Sequence, residues 1–69
     1  MEDWKERIID ELKELYEREN KLRVFIHTNS KFDNLSDTEK ELLLKQLKGM
    51  TTYLEALEDR LEYYKIKVE

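Results

Sequence analysis

The most constraining feature of the sequence is an uninterrupted apolar repeat in its second half. Apolar side chains recur there at alternating steps of four and three residues, at Leu43, Leu47, Met50, Leu54, Leu57, Leu61, Tyr64 and Val68. This spacing is typical of a coiled-coil helix that buries one narrow seam. Ser36, followed three residues later by Glu39, matches a capping box. We therefore expect a helix over residues 37–66.

A second seam of similar spacing runs through the first half of the chain. Its members are Trp4, Ile8, Leu12, Leu15, Leu22 and Ile26. The seam predicts a helix over residues 3–27, with Glu19 as its single polar interruption. Between the helices, Thr28-Asn29-Ser30 and Asp33-Asn34 predict a turn over residues 28–36. Two helices of similar length and a short turn favour an antiparallel hairpin, so residues 1–69 are expected to form one all-α, coiled-coil-like domain.

The chain has more apolar residues than one hairpin can bury. The two seams use about half of the apolar side chains, and a two-helix hairpin has only one internal seam. The remaining apolar residues include Ile9, Tyr16, Val24, Leu42, Leu44, Tyr53, Ala56, Tyr63 and Ile66. Small chains often gain the missing stability by oligomerisation. We expect a homo-oligomeric helical bundle, with Leu42, Tyr53, Ala56 and Tyr63 on or beside the subunit interface.

The composition argues against several classes of function. The 69 residues contain no Cys and a single His, so the sequence lacks a disulfide framework, a Cys-based zinc site and a nucleophile–base pair of the usual kind. His27 is expected near a helix C-terminus. No apolar run is long enough to span a membrane, and the charged N-terminal residues do not resemble a secretory signal. The expectation is a non-enzymatic, soluble protein without a cofactor or metal.

The charge distribution places cations in the middle of the chain. The net charge is −4, and residues 2–19 contain eight acids against four bases, whereas residues 20–54 contain six Lys and Arg against four acids. Six cations are too few to bind a nucleic-acid polymer, which requires many phosphate contacts. They could bind one small phosphorylated ligand. The phosphate-binding candidates are Arg23, Lys45 and Lys48.

Gly49 is the only glycine and lies inside the second predicted helix. Glycine costs about 1 kcal/mol relative to alanine in a helix, and it often stands where another group approaches the backbone. Its helical neighbours are Lys45, Gln46, Thr52 and Tyr53. They offer a cation, an amide, a hydroxyl and an aromatic ring, which suit a nucleotide. Alternatively, Gly49 permits close packing of two helices.

The segment from Phe32 to Leu61 contains three motifs in succession: F-x-x-L-S, then L-L-x-x-Q-L-x-x-M-x-x-Y, then L-x-x-R-L. With the preceding Lys21–Ile26, this segment resembles a group of small tailed-phage helical-hairpin proteins related to the anti-CBASS and anti-Thoeris nucleotide sponges. Such sponges oligomerise and sequester nucleotide immune signals without cleaving them.

The resemblance implies a protein that acts in the host bacterial cytoplasm and binds a cyclic oligonucleotide or an ADP-ribose-derived signal between subunits. Within the motif it implicates Lys45, Gln46, Thr52, Tyr53 and Arg60. Arg60 either contacts the ligand or pairs with Glu11 or Glu14 across the hairpin. Trp4 is, with Tyr53, a candidate for stacking on a base or ribose. The alternative function is a helical module that inhibits a host or phage protein, and a third is a structural hairpin in a phage assembly.

Overall fold

A computed structural model describes residues 3–66, and all regular structure in that range is helical. Helix α1 spans Asp3–Thr28, the short helix α2 spans Ser30–Asp33, and helix α3 spans Asp37–Tyr63. The beginning of α1 meets the end of α3, where the rings of Trp4 and Tyr64 lie 4.8 Å apart. The two long helices therefore run antiparallel, in a rod of 48 × 16 × 15 Å. In this part of the chain, no helix has the length and apolar character needed to cross a membrane.

The core is a single seam between α1 and α3. Its buried residues are Ile8, Leu15, Leu54, Leu57 and Leu61. Leu57 is the most deeply buried, with 1% of its surface exposed. Further apolar side chains pack against this cluster, namely Ile9, Leu12, Met50 and Ile66. Part of each predicted seam thus forms the core. Trp4 and Tyr64, by contrast, are 43% and 42% exposed. The half-buried seam residues outside the cluster are Leu22, Ile26, Leu43 and Leu47, and the prediction for Val68 falls outside the described residues.

The start of α3 is held by the predicted capping box. The Glu39 amide donates to the Ser36 hydroxyl over 3.1 Å, and the Ser36 amide donates to the Glu39 carboxylate over 3.0 Å. Two backbone N–H groups that lack helical partners are satisfied in this way. The prediction of the helix start at residue 37 is confirmed.

The end of α3 differs from the prediction, because the helix stops at Tyr63 rather than at residue 66. Lys65 adopts a left-handed conformation with φ of 58°. The Lys65 amide then donates to the Glu62 carbonyl, and the Ile66 amide donates to the Leu61 carbonyl over 2.8 Å. This is a Schellman cap, which a contact between Ile66 and the core accompanies. Packing of Ile66 onto the seam therefore decides where the helix ends.

The turn contains the short helix α2. Asn29 precedes it, and its side chain accepts a hydrogen bond of 2.9 Å from the Lys31 amide. The rings of Phe25 and Phe32 meet edge to face at 6.3 Å, and the Lys40 ammonium lies 5.8 Å from the Phe32 ring centre. These contacts close one end of the hairpin.

Six of the apolar residues left outside the predicted seams are solvent-exposed: Tyr16, Val24, Leu42, Leu44, Tyr53 and Tyr63. Ala56 is exposed as well. Ile9 and Ile66, two further apolar residues outside the predicted seams, pack against the core. The hairpin therefore leaves a large apolar surface in water, most of it on α3.

The left-handed Lys65 yields a prediction about stability. Because glycine adopts this conformation without the strain that a Cβ atom imposes, Lys65→Gly should raise the free energy of unfolding by up to about 1 kcal/mol. Lys48→Gly, in the exposed interior of α3, should lower it by about the same amount. Urea denaturation at one protein concentration measures both. A loss of stability in Lys65→Gly would contradict the Schellman cap.

Candidate functional site

The candidate site lies on the outer surface of α3 around Gly49. The four neighbours Lys45, Gln46, Thr52 and Tyr53 lie one turn before or after Gly49, and all four are exposed. Apart from its two chain neighbours and the backbone of the adjoining helical turns, no heavy atom lies within 4 Å of the position that a Gly49 Cβ would take. We call these five residues the Gly49 surface. Within this hairpin, Gly49 therefore does not serve packing between α1 and α3, and its backbone is open to an approaching group.

The Gly49 surface combines groups of different chemistry on two helical turns. The Thr52 hydroxyl donates to the Lys48 carbonyl over 3.0 Å, so only its lone pairs are left to accept from a ligand. The Lys45 ammonium and the Gln46 amide can donate to phosphate or base edges. Tyr53 is 45% exposed and offers a ring for stacking. Lys48 lies one turn from Lys45 and Thr52 and adds a second cation to the same side of α3.

Arg23 is not a free cation. Its guanidinium pairs with the carboxylate of Glu19, one turn earlier on α1. The side chain is 45% exposed, so some of its five N–H donors still face solvent. Its first role is to neutralise a buried acid. If Arg23 binds phosphate, its guanidinium must contact the phosphate and Glu19 at the same time.

Glu19, the interruption in the first seam, is a polar link between the helices. Only 5% of its surface is exposed. The Thr51 hydroxyl of α3 lies 2.8 Å from the Glu19 carboxylate and 3.1 Å from the Leu47 carbonyl, and it shares one proton between them. Donation from Thr51 and the charge of Arg23 hold the pKa of Glu19 below its ordinary value of 4.5, against the effect of burial.

Sequence reasoning missed this link because it treated Glu19 as a defect. One signal was available, since Thr51 follows Met50 at the edge of the α3 seam, where a small hydroxyl can reach across to the other helix. The same carboxylate also bonds to Arg23, so one buried acid holds the side chains of Thr51 and Arg23 in place. Its effect is to fix the register of α1 against the half of α3 that carries the Gly49 surface.

Trp4 lies away from the Gly49 surface, at the open end of the hairpin. Its ring packs edge to face on Tyr64, whose ring is 5.3 Å from that of Tyr63. The Lys5 ammonium lies 5.5 Å from the Trp4 ring centre. Tyr64 lies 11 residues beyond Tyr53 in the sequence, or about 16 Å along a helix. One nucleotide base therefore cannot contact both candidate stacking residues within one chain.

Arg60 is exposed on α3, and neither Glu11 nor Glu14 forms an ion pair with it in residues 3–66. The alternative of a cross-hairpin pair is therefore wrong for this structure. His27 lies exposed in the last turn of α1, as its sequence position suggested. Residues 3–66 form no pocket and no group of three side chains suited to hold a metal ion.

Comparison with known proteins places the chain in a family. The model of the family described as Sequestin matches residues 2–63. The chain belongs to the Sequestin family. The match covers α1, α2 and α3, so the Gly49 surface and the Glu19 link both lie within the region that defines this family. The family name suggests sequestration of a molecule. No curated protein and no solved structure matches the chain.

The Glu19 link predicts a difference between two neighbouring threonines. Thr51→Val removes a hydrogen bond to a buried charge and should lower the free energy of unfolding by roughly 1.5–3 kcal/mol. Thr52→Val is the matched control, because its hydroxyl bonds only to its own helix at an exposed position, and its effect should be within about 0.5 kcal/mol. Equal losses in the two variants, measured by urea denaturation, would rule out the cross-helix role of Thr51.

The lowered pKa of Glu19 predicts a pH dependence of stability. A carboxyl with a lower pKa in the folded state stabilises the protein above its unfolded pKa, and this contribution is lost as pH falls through the folded pKa. The free energy of unfolding should therefore decrease more between about pH 5 and pH 3 in the wild type than in Glu19→Gln. Parallel curves for the two proteins would show that Glu19 titrates equally in both states.

Proposed function

We propose that the protein sequesters a nucleotide second messenger, a cyclic oligonucleotide or an ADP-ribose-derived signal, at a site between subunits and without cleaving it. The observation that carries this proposal is the Gly49 surface, which lies within the stretch that matches the Sequestin family. It brings a cation, an amide, a hydroxyl and an aromatic ring next to open backbone. These are the groups that recognise phosphate, base edges and the face of a base.

In the proposed complex, Lys45 and Lys48 bind phosphate, and Tyr53 packs against a base or ribose. Both lysines are exposed and belong to the locally positive centre of the chain. Arg23 plays a lesser part because Glu19 holds its guanidinium. Trp4 could stack on a ligand only through a different chain or a separate site, since it lies at the open end of the hairpin.

The site is proposed to lie between subunits because the Gly49 surface is the outside of a helix. A convex surface contacts a ligand from one side, whereas tight binding of a small polar molecule needs groups that surround most of it. A second copy would supply the opposite wall from the same residue types. The protein would act in the cytoplasm of a bacterium infected by a phage, where such signals are produced.

Ligand binding should raise thermal stability. At a ligand concentration of 100 times Kd, the folded state gains about 2.7 kcal/mol, which corresponds to a rise in Tm of roughly 10–20 °C for a domain of this size. The test is a thermal-shift panel of cyclic dinucleotides, cyclic trinucleotides and ADP-ribose derivatives. Lys45→Ala should weaken binding of the responding nucleotide by roughly 10-fold or more, because a charge-assisted contact is lost. Lys13→Ala on α1 is the charge-matched control and should bind normally.

The fate of the bound nucleotide separates sequestration from catalysis. Heat denaturation of the complex should release the nucleotide intact, as mass spectrometry would show. Release of a cleaved product would place the protein among enzymes and contradict the proposal. A panel without any response would also contradict it.

The exposed apolar face of α3 supports a second candidate, capture of a helix from a host or phage protein. Leu42, Tyr53 and Tyr63 are all exposed there. Apolar residues spaced along one face of a helix are what an amphipathic partner helix packs against. Such a module would show no nucleotide response in the thermal-shift panel. It would instead retain a protein partner when purified from infected cells.

A further inference from the structure

Helix α3 carries a second seven-residue repeat, immediately beside the one that forms the core. Its members lie at alternating steps of four and three residues: Leu42, Gln46, Gly49, Tyr53, Ala56, Arg60 and Tyr63. We call this row the outer stripe. Each member precedes a core-seam position by one residue, and all seven are exposed. Three large apolar members are 45–81% exposed, namely Leu42, Tyr53 and Tyr63. Residues that repeat with this period form a nearly straight row along a helix, and a second helix can pack along such a row.

We propose that the outer stripe pairs with the same stripe of a second copy of this chain, with the two α3 helices antiparallel. A two-fold axis near Thr52 and Tyr53 makes the stripe complementary to itself. Leu42 then lies level with Tyr63 of the second copy, and Gly49 lies level with its Ala56. The two Tyr53 side chains meet near the axis. Leu42 and Tyr63 thus face each other at both ends of the paired helices. Gly49 and Ala56 face each other next to the central pair of Tyr53 side chains.

The two smallest residues of the stripe explain how the helices come close. No other side chain and no backbone beyond the adjoining helical turns lies within 4 Å of a Cβ built on Gly49, and Ala56 projects only a methyl group. Small residues at helix contacts let backbones approach each other, and the space beside them accommodates a large ring from the facing helix. In this pairing Gly49 receives the second helix, and the ligand binds beside it rather than over it.

The charges beside the outer stripe favour the antiparallel direction. Lys45 and Asp59 lie on the same edge of the stripe, two turns to either side of Thr52. In an antiparallel pair, residues on the same edge face each other, so Lys45 comes level with Asp59 of the second copy. A parallel pair would place Lys45 beside Lys45 and Asp59 beside Asp59. Opposite charges at flanking positions determine the direction of coiled-coil pairing in this way.

The pairing also adds a residue to the proposed ligand site. Within the stripe, Gln46, Tyr53 and Arg60 occupy the side farther from Lys45. There Gln46 comes level with Arg60 of the second copy, next to Tyr53. A donor amide, a guanidinium and an aromatic ring therefore converge from two chains, once on each side of the axis. This addition rests on the proposed function, whereas the pairing itself is measured without any ligand. The pairing also gives a role to Arg60, which forms no ion pair with an acid of α1 in the described hairpin.

Single cysteines test the direction and register, because the natural chain contains none. Thr52→Cys, near the axis, should form a disulfide-linked dimer on oxidation. Lys45→Cys and Asp59→Cys should each stay unlinked alone, because the two copies of one residue are then about 21 Å apart along the axis. An equimolar mixture of these two variants should form a linked heterodimer. Linking of Lys45→Cys alone would overturn the antiparallel arrangement.

The oligomeric state of the protein tests whether the outer stripe is an interface. The wild-type chain should sediment as a dimer or a multiple of it at micromolar concentration without nucleotide. Gly49→Gln should shift it to lower mass while circular dichroism shows unchanged or higher helicity, since glycine is the weaker helix former and the new side chain meets only solvent in the hairpin. Glu55→Gln, exposed on α3 outside the stripe, is the control and should remain associated.

A folded wild-type monomer would overturn the pairing even if it bound nucleotide. A dimer that retained the cysteine pattern but bound no nucleotide would support the pairing and contradict the proposed function. The two proposals therefore fail in different measurements.

Discussion

Everything in this fold depends on the fact that two helices side by side enclose only one seam. The described rod is 16 × 15 Å in cross-section, which leaves room for α1 and α3 and no further layer. Residues on the seam can leave water, and residues on the other faces cannot. Only a small set of apolar side chains is therefore fully buried, and large ones such as Leu42 and Tyr63 stay exposed. Chains of this size rarely gain more than about 3–5 kcal/mol from one core.

Within that thin core, the Glu19 link has a large effect on the register of α1 against α3. A buried carboxylate is unfavourable unless hydrogen bonds and an opposite charge compensate it, and here Thr51 and Arg23 supply both. Sliding α1 by one turn against α3 would separate Glu19 from Thr51 and leave the charge unpaired. Apolar seams tolerate such slippage more readily because leucines in successive turns resemble each other. The link therefore selects one register, which leucine packing alone would leave less defined.

The register, in turn, determines which surface remains for function. With α1 covering one side of α3, the side that carries Gly49 faces outward, and its polar and aromatic neighbours lie together on two turns. A core function for Gly49 is excluded by the open space over it. The two proposed uses of this surface overlap, since Gln46, Gly49 and Tyr53 belong to the outer stripe and Lys45 lies at its edge. Under the proposed pairing, a sequestering protein would need no large core, because a second copy would cover the outer stripe and complete the site.

The sequence by itself determined the elements with local causes. Apolar spacing predicted both long helices and the seam, Ser36 and Glu39 predicted the start of α3, and the polar cluster after Ile26 predicted the turn. It also selected Lys45, Gln46, Thr52 and Tyr53 as neighbours of Gly49, because positions on one helix follow from its period.

Contacts between distant residues were decided only in the tertiary structure. The partnership of Glu19 with Thr51, the engagement of Arg23, the separation of Trp4 from Tyr53 and the end of α3 at Tyr63 all depend on how α1 lies against α3. Ile9 and Ile66 joined the core for the same reason. Periodicity describes one helix at a time, whereas the register between helices is set by the balance of all their contacts at once.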